Sequence, residues 1–136
     1  MASKALNKAN LMTLDRQVLA GTPMLTGADG IALSGDHETL YWTNLTGNHL
    51  YSLPTALLRD FETSETVIEN AVTVETALPS NTDGMTADNA GNIYMTALSL
   101  DGVMRFEEAT GAVTRFAHHP EMNWGSCPIT NRSSLF

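Results

Sequence analysis

Cysteine is nearly missing from this sequence. Cys127 stands alone, so no disulfide can close within the chain and no thiolate cluster can hold zinc. Basic residues are scarce too: seven Lys and Arg face fifteen Asp and Glu, giving a net charge of −8. No basic run could neutralise a series of phosphates, and the summed field repels nucleic acid and anionic lipid heads, so neither is an expected partner. No apolar stretch approaches the ~20 residues that cross a bilayer. The opening MASKALNKAN carries two Lys with no uninterrupted apolar run behind it, and the expectation is a cytoplasmic protein without a secretory signal. Asn44-Leu45-Thr46 and Asn131-Arg132-Ser133 fit a glycosylation pattern that acts only on exported chains. Ser34, Ser52 and Ser99 lack Gly-x-Ser-x-Gly surroundings and no phosphate-binding glycine loop occurs, so neither a serine nucleophile nor a nucleotide site is supported.

A repeat is what the sequence does have. Asp29-Gly30-Ile31-Ala32-Leu33-Ser34 returns as Asp83-Gly84-Met85-Thr86-Ala87-Asp88, fifty-four positions on. Leu40-Tyr41-Trp42-Thr43 answers to Ile93-Tyr94-Met95-Thr96, and Leu50-Tyr51-Ser52-Leu53 to Val103-Met104-Arg105-Phe106, both fifty-three apart. Each unit holds short runs of β-branched, aromatic and aliphatic residues punctuated by Gly, Asn and Asp. Strands are predicted at 29–34, 39–44, 48–53 and 66–76, then at 83–88, 92–97, 102–107 and 112–118. Asn89-Ala90-Gly91-Asn92 and Thr110-Gly111 supply residues that tolerate positive φ in tight turns. Pro54 ahead of good helix formers predicts one short helix over 54–60.

Four antiparallel strands per repeat is the plan of a propeller blade, lengthened beyond the ~40–45 residues of a WD-type blade by the helical insertion and a long link. The expected fold class is therefore all-β: a β-propeller fragment of two to three four-stranded antiparallel blades with one short helix. It forms a single partial domain over 1–136. One blade covers 27–78 and a second 79–119. Residues 11–20 read as a stray strand of a preceding blade, and 120–136 as a divergent tail.

In a propeller the first strand of each blade lines the central channel, so Asp29 and Asp83 occupy equivalent places in neighbouring blades and can converge. Two carboxylates make a partial site for calcium or another hard divalent cation, which takes about six to eight oxygen ligands. The same residues also fit a structural role as turn carboxylates bonding backbone N–H groups. His118-His119-Pro120-Glu121 concentrates two imidazoles and a carboxylate, yet neighbours on an extended segment point to opposite faces, and a polar loop is the better reading. Most of the large aromatics, Tyr41, Tyr51, Tyr94, Phe106 and Phe116 among them, lie in predicted strands where blade packing needs bulk. Trp42 and Trp124 are the candidates for stacking on a small ligand.

Read together, Gly27-Ala28-Asp29-Gly30-Ile31-Ala32-Leu33-Ser34, Thr39-Leu40-Tyr41-Trp42 and the run from Leu50 to Asp60 resemble bacterial members of the major royal jelly protein/yellow family. The likeness resumes at Asp83-Gly84 and Gly91-Asn92-Ile93-Tyr94-Met95-Thr96 and covers roughly residues 11–124. It implies a six-bladed propeller, of which this sequence looks like a middle segment, and a channel mouth able to take small aromatic amines. The broader lactonase-like superfamily, with regucalcin and gluconolactonase, is similar at Asp83-Gly84-Met85. That similarity implies a metal ligand and general base at Asp83, the one catalytic candidate. The position of Asp29 carries Asn in those relatives, and their first-blade Glu ligand has no counterpart here.

Three functions are carried forward: a small-ligand or cation-binding propeller fragment of the yellow type without full catalysis, a metal-dependent lactonase-like hydrolase assembled by oligomerisation, and a structural oligomerising remnant. A blade buries both faces, so a two-blade chain is expected to join head to tail with further copies as a trimer or dimer. The faces expected to be bare carry Ile31, Leu33, Tyr41 and Leu50 on one blade and Met85, Tyr94, Met95 and Val103 on the other.

Overall fold

The structure, a computed structural model, describes residues 13–14, 17–18 and 27–122. Two four-stranded antiparallel sheets dominate it, each a meander in which neighbours in sequence are neighbours in space. The first sheet runs β3 (Ala28–Leu33), β4 (Thr39–Asn44), β5 (His49–Pro54) and β6 (Thr73–Ala77), and the second β7 (Met85–Ala87), β8 (Asn92–Ala97), β9 (Gly102–Glu107) and β10 (Ala112–His118). The innermost strands β3 and β7 lie against one another. This is the arrangement of adjacent propeller blades, and the mostly-β fragment expected from the repeat is the fold observed.

Strand alternation explains what each sheet buries. From the first sheet, Tyr41 and Leu50 enter the seam between the sheets and meet Met85, Ile93, Met95, Met104 and Phe106 from the second. Leu50, Ile93 and Met95 have no exposed surface at all. Burying such a side chain stabilises by about 1.5–3 kcal/mol, which makes the seam the main adhesive of the pair. A hydrogen bond from Tyr41 Oη to Glu108 Oε1 at 2.7 Å ties the sheets at the seam's outer end. Tight turns follow the expected chemistry, with positive φ at Gly91 (81°) and Gly111 (68°).

Three expectations need correction. The strand predicted over 66–76 is a helix followed by a strand, so the first unit holds two helices, α1 (Ala56–Arg59) and α2 (Glu65–Ala71), before β6. The physical reason lies in Ser64, whose side chain caps α2 by accepting from Val67 N, and in Glu65 at the positive end of the helix dipole. At the N-terminal side, β1 (Thr13–Leu14) and β2 (Gln17–Val18) pair with each other antiparallel where one stray strand was expected over 11–20, because pairing satisfies backbone groups that a lone strand leaves open. Tyr41, Leu50, Met85, Met95 and Val103 are buried, four of them in the seam, so the bare faces are narrower than anticipated. Exposed apolar bulk sits at Ile31, Leu33 and Val74 on the first sheet and at Phe116 on the second.

The far face of the first sheet is only half covered. Trp42, Tyr51 and Leu53 are packed under Leu57 of α1, Ile68 and Ala71 of α2 and the adjoining Val72, while β3 stays open. Between them runs a groove of about 330 Å³ lined by Ile31, Leu40, Trp42, Leu53, Leu58 and Ile68, with Asp29 and Glu69 at its edge.

Candidate functional site

Asp29 lies near the start of β3, and Asp83 in the bend before β7. The β3–β4 register shifts between Ala28 and Ile31, a bulge that re-aims Asp29 at the inner end of the blade. Glycine is required beside it for want of room: a Cβ on Gly30 would stand 2.9 Å from Thr43 Oγ1, with Met85 Cγ and the Asp83 carbonyl close behind. Across the seam, Thr96 Oγ1 accepts the backbone N–H groups of Asp83 (3.0 Å) and Gly84 (3.2 Å) and lies 3.1 Å from Thr82 Oγ1. Upstream, Asn81 Nδ2 donates to the carbonyls of Leu45 and Gly47, each at 3.0 Å. The segment before β7 is thereby pinned to both sheets, and Asp83 is held facing Asp29.

The two carboxyls meet. The Asp29 carboxyl is pushed above the ordinary carboxylate value, first by partial loss of its water at the seam, then by a hydrogen bond with Asp83 and by that group's charge. Two carboxylates held together repel when both are ionised, and a proton or a cation between them relieves the repulsion. Thr43 Oγ1, on the far side of Gly30, is buried and has no hydrogen-bond partner among the described residues. The two carboxylates form an oxygen-only pair, the start of the donor set a hard cation requires. Among the described residues, no three of His, Cys, Asp and Glu gather at one point.

The remaining candidates are placed as follows. Trp42 is buried, its ring stacked on Tyr51 at 5.6 Å and 18°, and its Nε1 has no acceptor among the described residues. Trp124 lies outside the described residues. His119 Nδ1 stands 4.0 Å from Glu121 Oε2 and accepts from Glu121 N, an exposed local turn. Turn carboxylates of the kind considered for Asp29 and Asp83 occur at Asp36, Asp60 and Asp88, each accepting backbone N–H groups. Reading the sequence missed Thr96, Asn81 and Thr43. The signal for the threonines was present, since Thr43 and Thr96 answer one another in the repeat; nothing local marks Asn81.

Fold and site together define a propeller-blade pair with an acidic inner end. The chain belongs to the SMP-30/Gluconolactonase/LRE-like family, whose model matches residues 3–136. That is the broader of the two resemblances read from the sequence; the royal jelly/yellow assignment gains no support. A search of curated proteins returned no match. Among solved structures, the chain is similar to the hydrazine synthase of Kuenenia stuttgartiensis, with a TM-score of 0.57 and 17% identity over 82% of this chain and 29% of that one. It is similar also to a gluconolactonase of Xanthomonas campestris (TM-score 0.49, 21% identity, 73% of this chain and 29% of that one). A calcium-binding regucalcin of Agrobacterium tumefaciens follows, with a TM-score of 0.47 and 18% identity over 68% of this chain and 33% of that one. The chain thus spans a third or less of the length of each of these proteins. At such identities the hydrazine synthase likeness speaks for the fold alone.

Proposed function

We propose that this chain supplies the cation-binding inner wall of a metal-dependent hydrolase of the lactonase type, with Asp29 and Asp83 as cation ligands and Asp83 as the general base. The observation that carries the reading is the meeting of the two carboxyls, with Asp29 raised by desolvation and by Asp83. Family membership supports it, and the chemistry of the donor set fits calcium or another hard divalent ion. When bound, such an ion polarises a lactone carbonyl and makes its own water more acidic. The chain's residues do the rest. Asp83, fixed through Thr96 and Asn81, would take the proton from the attacking water and return it to the ring oxygen as the ring C–O bond breaks, giving a hydroxy acid. Asp29 would balance the charge of a bound ion.

Thermal melting with and without calcium, magnesium or zinc tests the reading, because an ion bound only by the native state adds about 2.7 kcal/mol of stability at a hundredfold excess over Kd and so raises the melting temperature. Asp83→Asn should abolish the shift and Cys127→Ser leave it intact. A shift of equal size in both variants, or none with any divalent ion, would overturn the assignment. Hydrolysis of an aliphatic lactone, followed by acid release, then tests the activity.

A further inference from the structure

The entries to β3 and β7 are built on one plan but fastened differently. Leu45 N donates to the Gly27 carbonyl at 3.2 Å as Leu98 N donates to that of Asn81 at 3.1 Å, so the repeat extends to individual hydrogen bonds. In each unit an Asp-Gly pair then faces one threonine. Ala28 pairs with Asn44 and Ile31 with Trp42, which leaves Asp29 and Gly30 together opposite Thr43. In the second unit Asp83 and Gly84 face Thr96, whose Oγ1 accepts both of their N–H groups and lies against Thr82 Oγ1. Thr43 Oγ1 makes neither contact. It is buried without a partner among the described residues, although a Cβ on Gly30 would stand only 2.9 Å away. Ala28 occupies the place of Thr82, so the hydroxyl that steadies Thr96 has no counterpart in the first unit. A buried hydroxyl without a partner is a cost to the folded chain, and valine would fill the same place in a strand without that cost.

We propose that Thr43 is the positioning residue of Asp29: with a cation between the two carboxyls, its hydroxyl takes the N–H groups of Asp29 and Gly30, as Thr96 takes those of Asp83 and Gly84. The latch rests on the cation reading above, since the ion is what closes it. Its open form is the one observed, with the Asp29-Gly30 bulge off the threonine. In the closed form both carboxylates stand on strand entries pinned in the same way, so the ion meets two ligands of fixed direction. Asp83 is held by Thr96 without any ion, which makes it the preset ligand and Asp29 the one that moves. The ion draws Asp29 into place, and the bonds then made at Thr43 add to its affinity. Ion and latch favour one another, because a ligand that binds one form better shifts the population towards it.

The test combines calcium titration, thermal melting and amide hydrogen exchange by nuclear magnetic resonance on the wild type, Thr43→Val, Thr43→Ser and Thr96→Val. In EDTA, Thr43→Val should melt no lower than the wild type, since its hydroxyl has no bond to lose, whereas Thr96→Val should melt lower. Calcium should slow exchange at the Asp29 and Gly30 amides of the wild type by about tenfold, the equivalent of one ordinary hydrogen bond. Thr43→Ser should keep that response. Thr43→Val should lose it and bind calcium about tenfold more weakly, for the same reason. A hydroxyl with a merely structural role would lower the melt in EDTA and leave calcium affinity alone. Wild-type amides indifferent to bound calcium, a Thr43→Val that binds calcium as tightly as the wild type, or a Thr43→Ser that binds as weakly as Thr43→Val would overturn the latch and leave the cation reading standing. A wild-type chain that binds no calcium would overturn both.

Discussion

Replacing Leu50 by alanine removes a side chain with no exposed surface from the middle of the seam, where it packs in one cluster with Ile93, Met95 and Phe106. The lost transfer free energy and the residual cavity together cost about 2–5 kcal/mol, as for other buried Leu→Ala changes. For a domain of this size each kcal/mol moves the melting temperature by about 4 °C, so the expected fall is about 8–20 °C. Because the cluster draws on both sheets, they should melt together. Scanning calorimetry is the assay, with Phe61→Ala as control; Phe61 is 96% exposed and its removal should change stability by no more than about 0.5 kcal/mol. The reasoning fails if Leu50→Ala splits the melt into two transitions, one unmoved, or if its shift is no larger than that of Phe61→Ala.

Tyr41→Phe keeps the ring in the seam and removes the bond to Glu108; equilibrium denaturation should register a loss of about 1.5 kcal/mol, the low end for a bond to a charged group because Glu108 is exposed. Ser64→Ala removes the cap of α2 and should lower stability by about 0.5–1 kcal/mol, read by denaturant titration, with the smaller figure favoured by the long 3.4 Å bond. Asp29→Asn should raise the melting temperature in EDTA at neutral pH. The sign follows from a carboxyl raised in the folded state: its stabilising protonated form is fully present below the unfolded value of 3.8 and is lost as pH rises through the folded pKa. The gain from the substitution should therefore shrink as pH falls towards 3.8.

Much of the fold was legible because its signals are local. Strands β4, β8, β9 and β10 fall where alternation and glycine punctuation put them, and β3 and β5 lie one residue from their predicted bounds. The helix α2 was hidden because Val67, Ile68, Val72 and Val74 read as a β-branched run, while a single capping serine decided the outcome. Asp29 and Asp83 were readable as a pair because the repeat places them equivalently. Their support was harder to see. Asn81 reaches carbonyls 34 and 36 residues away, a contact that only the folded blades create. The orphaned Thr43 hydroxyl likewise becomes visible only once the fold buries it beside Gly30.

The most direct measurement is the titration of the Asp29 carboxyl by carbon-detected nuclear magnetic resonance, with and without calcium, in the wild type and in Asp83→Asn. Without calcium, the wild-type group should titrate above 3.8, and Asp83→Asn should bring it down by removing the neighbouring charge. With calcium, the wild-type carboxyl should stay ionised to a lower pH than without it, because the cation favours the charged form, and Asp83→Asn should weaken that response. An Asp29 that titrates at its ordinary value, indifferent to both Asp83 and calcium, would contradict the convergent pair and the cation reading built on it.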